Sequence, residues 1–142
     1  MILLHRLTLG AVACSLTVGV ATAPASSTTA LKAALKGSNE TEAGDPNGRG
    51  TATVRIKGTQ LCYSLSLSRV APTMAGHIHR GKAGVAGGVV VPLYAGKEDR
   101  KGCVTVAKGL ASEIAKSPSA FYVNVHNTKY PGGAVRGQLR KG

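Results

Sequence analysis

Two alternating runs separated by two turn residues constrain this chain more than any other feature in it. Ala52, Val54 and Ile56 alternate with Thr53, Arg55 and Lys57; after Gly58-Thr59, Leu61, Tyr63, Leu65 and Leu67 alternate with Cys62, Ser64, Ser66 and Ser68. Successive strand residues point to opposite faces, so each run predicts a half-buried strand and the short turn predicts a β-hairpin. The rest of the chain repeats the theme. Leu31, Ala33 and Leu35 alternate with Lys32, Ala34 and Lys36. Ala75 to Arg80, the Val-rich Gly88 to Tyr94, Gly102 to Val106, and Phe121 to His126 read as further strands, with Val135 and Leu139 ending the last. Pro92 inside one of them places that strand at an edge or a bulge. Gly109 to Lys116, with Leu110 and Ile114 four apart and Pro118 beyond, is the one predicted helix. About seven or eight strands with turn signals roughly every 8–15 residues predict an all-β domain, a single Greek-key β-sandwich of immunoglobulin-like size. Hydrophobic residues make up 43% of the 142 and aromatics only 4%, which excludes a disordered tail, while the lack of a heptad or Gly-X-Y period excludes a coiled coil or a collagen.

The first 25 residues read as separate from the domain. His5 and Arg6 precede an uncharged, Leu/Val/Ala-rich stretch, and small residues follow at Ala21, Ala23 and Ala25. That is the order of a secretory signal peptide, with cleavage after Ala25. The rival reading is an uncleaved anchor, since the uncharged run from Leu7 to Ala23 is about 17 residues, the lower edge of what spans a bilayer. Residues 26–30 are expected to be a flexible leader and residues 31–140 the β-sandwich domain. The expected location is secreted, either extracellular or in the cell envelope, with no stable membrane span once the signal is removed.

Cleavage would remove Cys14 and leave Cys62 and Cys103, an even pair in an exported chain, which predicts a disulfide. Closing a loop of about 40 residues stabilises a fold by roughly 4 kcal/mol in the chain-entropy account. The charge is lopsided. Eighteen Lys/Arg face six Asp/Glu, for a net +12, of which the leader carries only Arg6. The scattered charge reads first as a solvated surface; the alternative is an anionic polymer or an acidic protein as partner, which predicts salt-sensitive retention on anionic matrices. The basic residues are scattered along the chain and are not interleaved with aromatics, which argues against nucleic acid.

Two segments are more specific than strand text. One is Ala75-Gly76-His77-Ile78-His79-Arg80-Gly81, followed by Gly87-Gly88-Val89-Val90-Val91-Pro92-Leu93. The other is Phe121-Tyr122-Val123-Asn124-Val125-His126-Asn127, followed by Pro131-Gly132-Gly133-Ala134-Val135-Arg136-Gly137-Gln138-Leu139. Together, with the Leu31 to Glu40 stretch and the Leu61 to Leu67 strand, they resemble the CHRD domain, a module first described in chordin and widespread in secreted bacterial proteins. The resemblance covers residues 31–139. It implies an extracellular β-domain, and the placement of Cys62 and Cys103 is similar to that of secreted bacterial members. It implies no agreed biochemical activity.

His77 and His79 are two apart in an extended segment and share a face; His126 lies on the face opposite Phe121, Val123 and Val125. Three imidazoles brought together would suit Cu²⁺ or Zn²⁺. Nitrogens within about 4 Å of one another can share one ion at bonds near 2 Å. The order H-x-H, V-x-V-H and Gly133-x-x-Arg136 is also similar to Cu/Zn superoxide dismutase, but no fourth histidine is left to bridge two metals and no acid lies in these motifs. The competing reading is structural: His77, His79, Asn124, His126, Arg136 and Gln138 as a polar network that ties the two motif strands together. The glycines at 81, 84, 87 and 88 lack the pattern of a phosphate cradle and read as a turn with positive φ. No nucleophile elbow and no carboxylate pair on one strand face is present. The resulting expectation is a non-enzymatic secreted binding or cell-envelope module with a basic surface and a His/Arg polar site. The alternative is an extracellular protein that binds Cu or Zn through the three histidines.

Overall fold

The computed structural model describes residues 27–142. The signal segment and its cleavage point lie outside the described residues. Nine strands and one helix follow in chain order: β1 (Thr29–Lys36), β2 (Arg49–Lys57), β3 (Gln60–Ser68), β4 (Thr73–Arg80), β5 (Val89–Ala95), β6 (Lys101–Thr105), α1 (Lys108–Lys116), β7 (Phe121–Asn127), β8 (Val135–Gln138) and β9 (Arg140–Lys141). Thr29 and Ala30, expected in the leader, are strand because Ile56 and Arg55 pair opposite them.

The hairpin forms as its alternation predicts. Lys57 pairs with Gln60 and Val54 with Tyr63, and Gly58 makes the turn at a φ of 61°. Its inward set of Ala52, Val54, Ile56, Leu61, Tyr63 and Leu65 is buried, while Arg55, Lys57, Ser64 and Ser66 are exposed.

All pairings are antiparallel, and the strands form one continuous sheet in the order β5-β4-β7-β8-β1-β2-β3-β6, with β9 added to β1. The local order β8-β1-β2-β3, in which a late strand returns beside the first, is the Greek-key arrangement. The sandwich-like shape comes from curling this one sheet rather than from stacking two. Its two ends come close enough for the Tyr63 hydroxyl of β3, next to the end strand β6, to donate to the Leu93 carbonyl of the end strand β5 at 3.2 Å, beside stacked Tyr63 and Tyr94 rings. One buried cluster fills the interior, with Leu31, Leu35, Val54, Leu61, Ile78, Val91, Phe121, Val123, Val125 and Val135 all within 1% of full burial.

Cys62 and Cys103 stand directly opposite each other on β3 and β6 and form the disulfide. The staple therefore fastens a strand at the end of the sheet, where only one neighbour supplies hydrogen bonds. Pro92 sits on β5, the strand at the other end, as a missing N–H requires, and the β4–β5 register shifts on either side of the His77–Ile78 pair. Helix α1 begins at Lys108 and buries Ala111 and Ile114. Arg80 and Glu113 form an ion pair that joins the end of β4 to α1. Among the described residues no helix is long and apolar enough to cross a membrane.

Candidate metal centre

Alternation decides which side chains reach the site. On β7, Phe121, Val123 and Val125 enter the core, so Tyr122, Asn124 and His126 must point outward. On β4, Ile78 enters the core and His77 and His79 point outward. The register then lines the strands up: His79 faces Tyr122, His77 faces Asn124, and Ala75 faces His126. On the other side of β7, Asn124 faces Arg136 and Tyr122 faces Gln138 of β8. All six expected polar residues thus share the outer surface of three adjacent strands.

Outward does not mean exposed here. His79, Asn124 and Arg136 are 8%, 4% and 2% exposed. Loops roof them. Arg136 Nη2 donates to the carbonyls of Lys82 and Val85 at 2.9 and 2.8 Å, and its guanidinium lies 3.3 Å from the centroid of the Tyr122 ring. Gln138 Nε2 donates to the carbonyls of Gly81 and Ser119 at 2.6 and 2.8 Å. The network that the sequence suggested as a tie between the motif strands is therefore chiefly an anchor for the 81–88 loop. Within that loop only Gly84 has positive φ, at 77°; Gly87 is needed for close approach, since a Cβ there would stand 1.5 Å from the Arg80 carbonyl.

The loop's second role concerns the imidazoles. His79 Nδ1 lies 2.9 Å from the Gly87 carbonyl, and His126 Nδ1 lies 3.0 Å from the Pro131 carbonyl. A carbonyl only accepts, so both Nδ1 atoms carry the proton and both Nε2 atoms keep a lone pair. His77 Nδ1 lies 3.1 Å from His126 Nε2. One nitrogen from each of the three rings falls within 4.8 Å of the others. Donors on one tetrahedral ion at about 2 Å stand about 3.3 Å apart. Because His126 Nε2 keeps its lone pair, the His77 Nδ1–H donates to it, and the two nitrogens stand near that spacing. An ion would take the place of this proton, which moves to His77 Nε2 or to solvent. The 4.8 Å span is wider than the 4 Å expectation, and ring rotation closes the rest. His79 Nε2 is buried with no hydrogen-bond partner.

A family profile for the CHRD domain matches residues 31–139. The chain belongs to the CHRD family. No curated protein and no solved structure is significantly similar to it. Both segments that carry the resemblance converge in this CHRD domain on the site just described, one supplying β4 and the loop after it, the other β7 and β8.

The electrostatics of the CHRD site keep the imidazoles neutral. Burial pushes His77 down to about 4, helped by the neighbouring His126 and His79. Burial also lowers His79 and His126, against the opposing carbonyl bonds from Gly87 and Pro131. Glu40 moves the other way: burial raises its carboxyl to about 7, although Arg136 and Asn124 oppose the rise. Glu40 reaches the site from the loop after β1, accepting from Asn124 Nδ2 at 3.4 Å, and beside it a Cβ at Gly133 would stand 2.6 Å from its Oε2. It lines, with His79, Tyr122, Asn124 and Arg136, a cleft of about 310 Å³.

Glu40 and Tyr122 are the site residues that the sequence reading did not single out for a role. Tyr122 was legible in principle, since it alternates with Asn124 and His126. Glu40 was not, because nothing local says that the loop after β1 folds over β7.

Proposed function

We propose that this CHRD module binds a single Cu²⁺ or Zn²⁺ ion through His77, His79 and His126, and that it works outside the cytoplasm. One observation carries the reading: three neutral imidazoles on adjacent strands converge, and two of them have Nδ1–H fixed on a backbone carbonyl. Metal-binding histidines characteristically donate their second nitrogen in this way, which sets the tautomer and holds the ring. The unpartnered, buried His79 Nε2 supports it further, since a buried polar atom without a partner costs stability. Three protein ligands leave a fourth position for water or a small ligand.

The chemistry proposed is binding. Among the described residues no fourth histidine joins the cluster, so a two-metal dismutase centre is not built from His77, His79 and His126. Export is supported by the leader's residue order, by the Cys62–Cys103 disulfide and by family membership.

Metal analysis of purified protein after incubation with Cu²⁺ or Zn²⁺ and exhaustive dialysis tests the reading. The expected result is about one ion per chain, with His79→Ala binding at least tenfold more weakly while remaining folded. Spectra of the copper form should report nitrogen ligation. Sub-stoichiometric metal in the wild-type protein, with His79→Ala indistinguishable from it, would overturn the proposal and leave the histidines as hydrogen-bonding groups.

A further inference from the structure

Lys32, Lys36, Arg49, Arg55, Lys57 and Arg140 are far apart in the chain, yet the register gathers them. On β1 the buried positions are Leu31, Ala33 and Leu35, so Lys32 and Lys36 point outward; on β2 the buried Ala52, Val54 and Ile56 leave Arg49, Arg55 and Lys57 outward. Arg140 pairs with Lys32 from β9. All six side chains are exposed, on one open face of three neighbouring strands.

Two features distinguish this face from an ordinary solvated surface. First, none of the six has an acidic partner among the described residues: the two ion pairs are Arg80–Glu113 and Arg100–Glu98, both elsewhere. Second, Lys36 stands directly opposite Arg49, and Lys32 directly opposite Arg140. Like charges directly opposite each other oppose sheet formation. Folding therefore does not account for this arrangement, whereas a bound polyanion would.

We infer that the outer face of β9, β1 and β2 is a binding surface for an acidic polysaccharide. Arg49 and Arg55 are six positions apart, about 20 Å along the strand, so the face presents charge over several sugar units rather than to a single anion. Between Arg49 and Arg55 stand Thr51 and Thr53, and Ser66 and Ser64 flank them from β3; their hydroxyls suit sugar hydroxyls. No aromatic side chain stands on this face to stack on nucleic-acid bases. Its apolar residues are only Ala30 and Ala34, too small to anchor in a lipid interface or to form the buried centre of a protein interface. This inference is independent of the metal proposal.

The test compares two double variants of equal charge. Lys32→Gln/Arg55→Gln removes cations from the face; Lys97→Gln/Lys116→Gln removes exposed cations elsewhere. Affinity for heparin, a sulfated chain, and for polygalacturonate, a carboxylated one, is measured at about 0.1 M salt, where charges beyond about 10 Å are screened. The expected result is a loss of about tenfold or more for the face variant and less than threefold for the other. An independent pair, Lys36→Gln/Arg49→Gln, should reproduce the loss and should not lower the thermal midpoint, because it removes a like-charge pair. Equal losses from both kinds of variant would reduce the effect to net charge and overturn the inference. So would tighter binding of duplex DNA or anionic vesicles than of either polysaccharide.

Discussion

The outer surface of the sheet has two halves built by the same rule and treated in opposite ways. Along β4, β7 and β8 the outward residues are histidine, asparagine, arginine and glutamine, and three loops cover them. Along β1, β2 and β3 the outward residues are chiefly lysine, arginine, threonine and serine, with two alanines among them, and most stand open to solvent. Strand alternation explains why neither set is in the core. It does not explain why Arg136 is 2% exposed while its cross-strand partner Lys36 lies in the open. The loops decide that: the carbonyls of Lys82 and Val85 hold Arg136, whereas no loop is held over Lys36. A polar side chain on a sheet surface becomes structural when neighbouring backbone supplies acceptors for it, and otherwise remains available to a partner.

The largest effect expected from breaking either half comes from the staple at the end of the open one. Replacing Cys62 and Cys103 together by Ala should cost about 4 kcal/mol in the chain-entropy account, read from urea unfolding. Arg136→Ala should cost about 3 kcal/mol, since it strands two loop carbonyls and uncovers Tyr122. Arg55→Ala, on the open half, should fall within about 0.5 kcal/mol of wild type. Equal costs for the two arginines would erase the difference between the covered and the open half.

A subtler test uses pH on the metal-free protein. His77, lowered from 6.5 to about 4, adds stability above pH 6.5 that is lost as pH falls towards 4. Glu40, raised from 4.5 to about 7, acts in the opposite sense: its contribution is greatest below pH 4.5 and is lost as pH rises through 7. The two oppose each other between pH 4.5 and 6.5. Glu40→Gln should therefore steepen the loss of stability on acidification across that interval, measured as the unfolding midpoint against pH. An unchanged slope would mean that Glu40 is not held in the covered half. The smallest effect belongs to the open half again: Lys36→Thr should raise stability by up to about 0.5 kcal/mol by relieving the charge opposite Arg49.

Much of this is legible in the sequence alone. Period-two alternation placed the strands and the hairpin, and the same parity put His77, His79 and His126 on a shared surface once β4 and β7 paired. The export reading paired Cys62 with Cys103. What stayed hidden depends on residues distant in the chain. That one sheet would curl, that Glu40 would swing over β7, and that Lys32, Arg55 and Arg140 would form one face all follow from long-range register, which local pattern does not encode. The number of strands was also obscured, because Leu139 turns inward between β8 and the two-residue β9 and reads as the end of a single strand. Gly87 shows the same limit. Its composition suggested a turn needing left-handed backbone, while its place in the fold is set by the Arg80 carbonyl against which it packs.

The carbonyl of Gly87 itself bears on the chemistry of His79. The Gly87 carbonyl that fastens the ring through Nδ1 belongs to the roof that shields it, so the roof cannot lift without releasing the proton's anchor. A ring so released is free to move its proton to Nε2, and under the metal role proposed above it would then present a protonated nitrogen where a lone pair is required. Closure of the loop and correct protonation of the donor are in this way one event, and any substitution that loosens the first also scrambles the second.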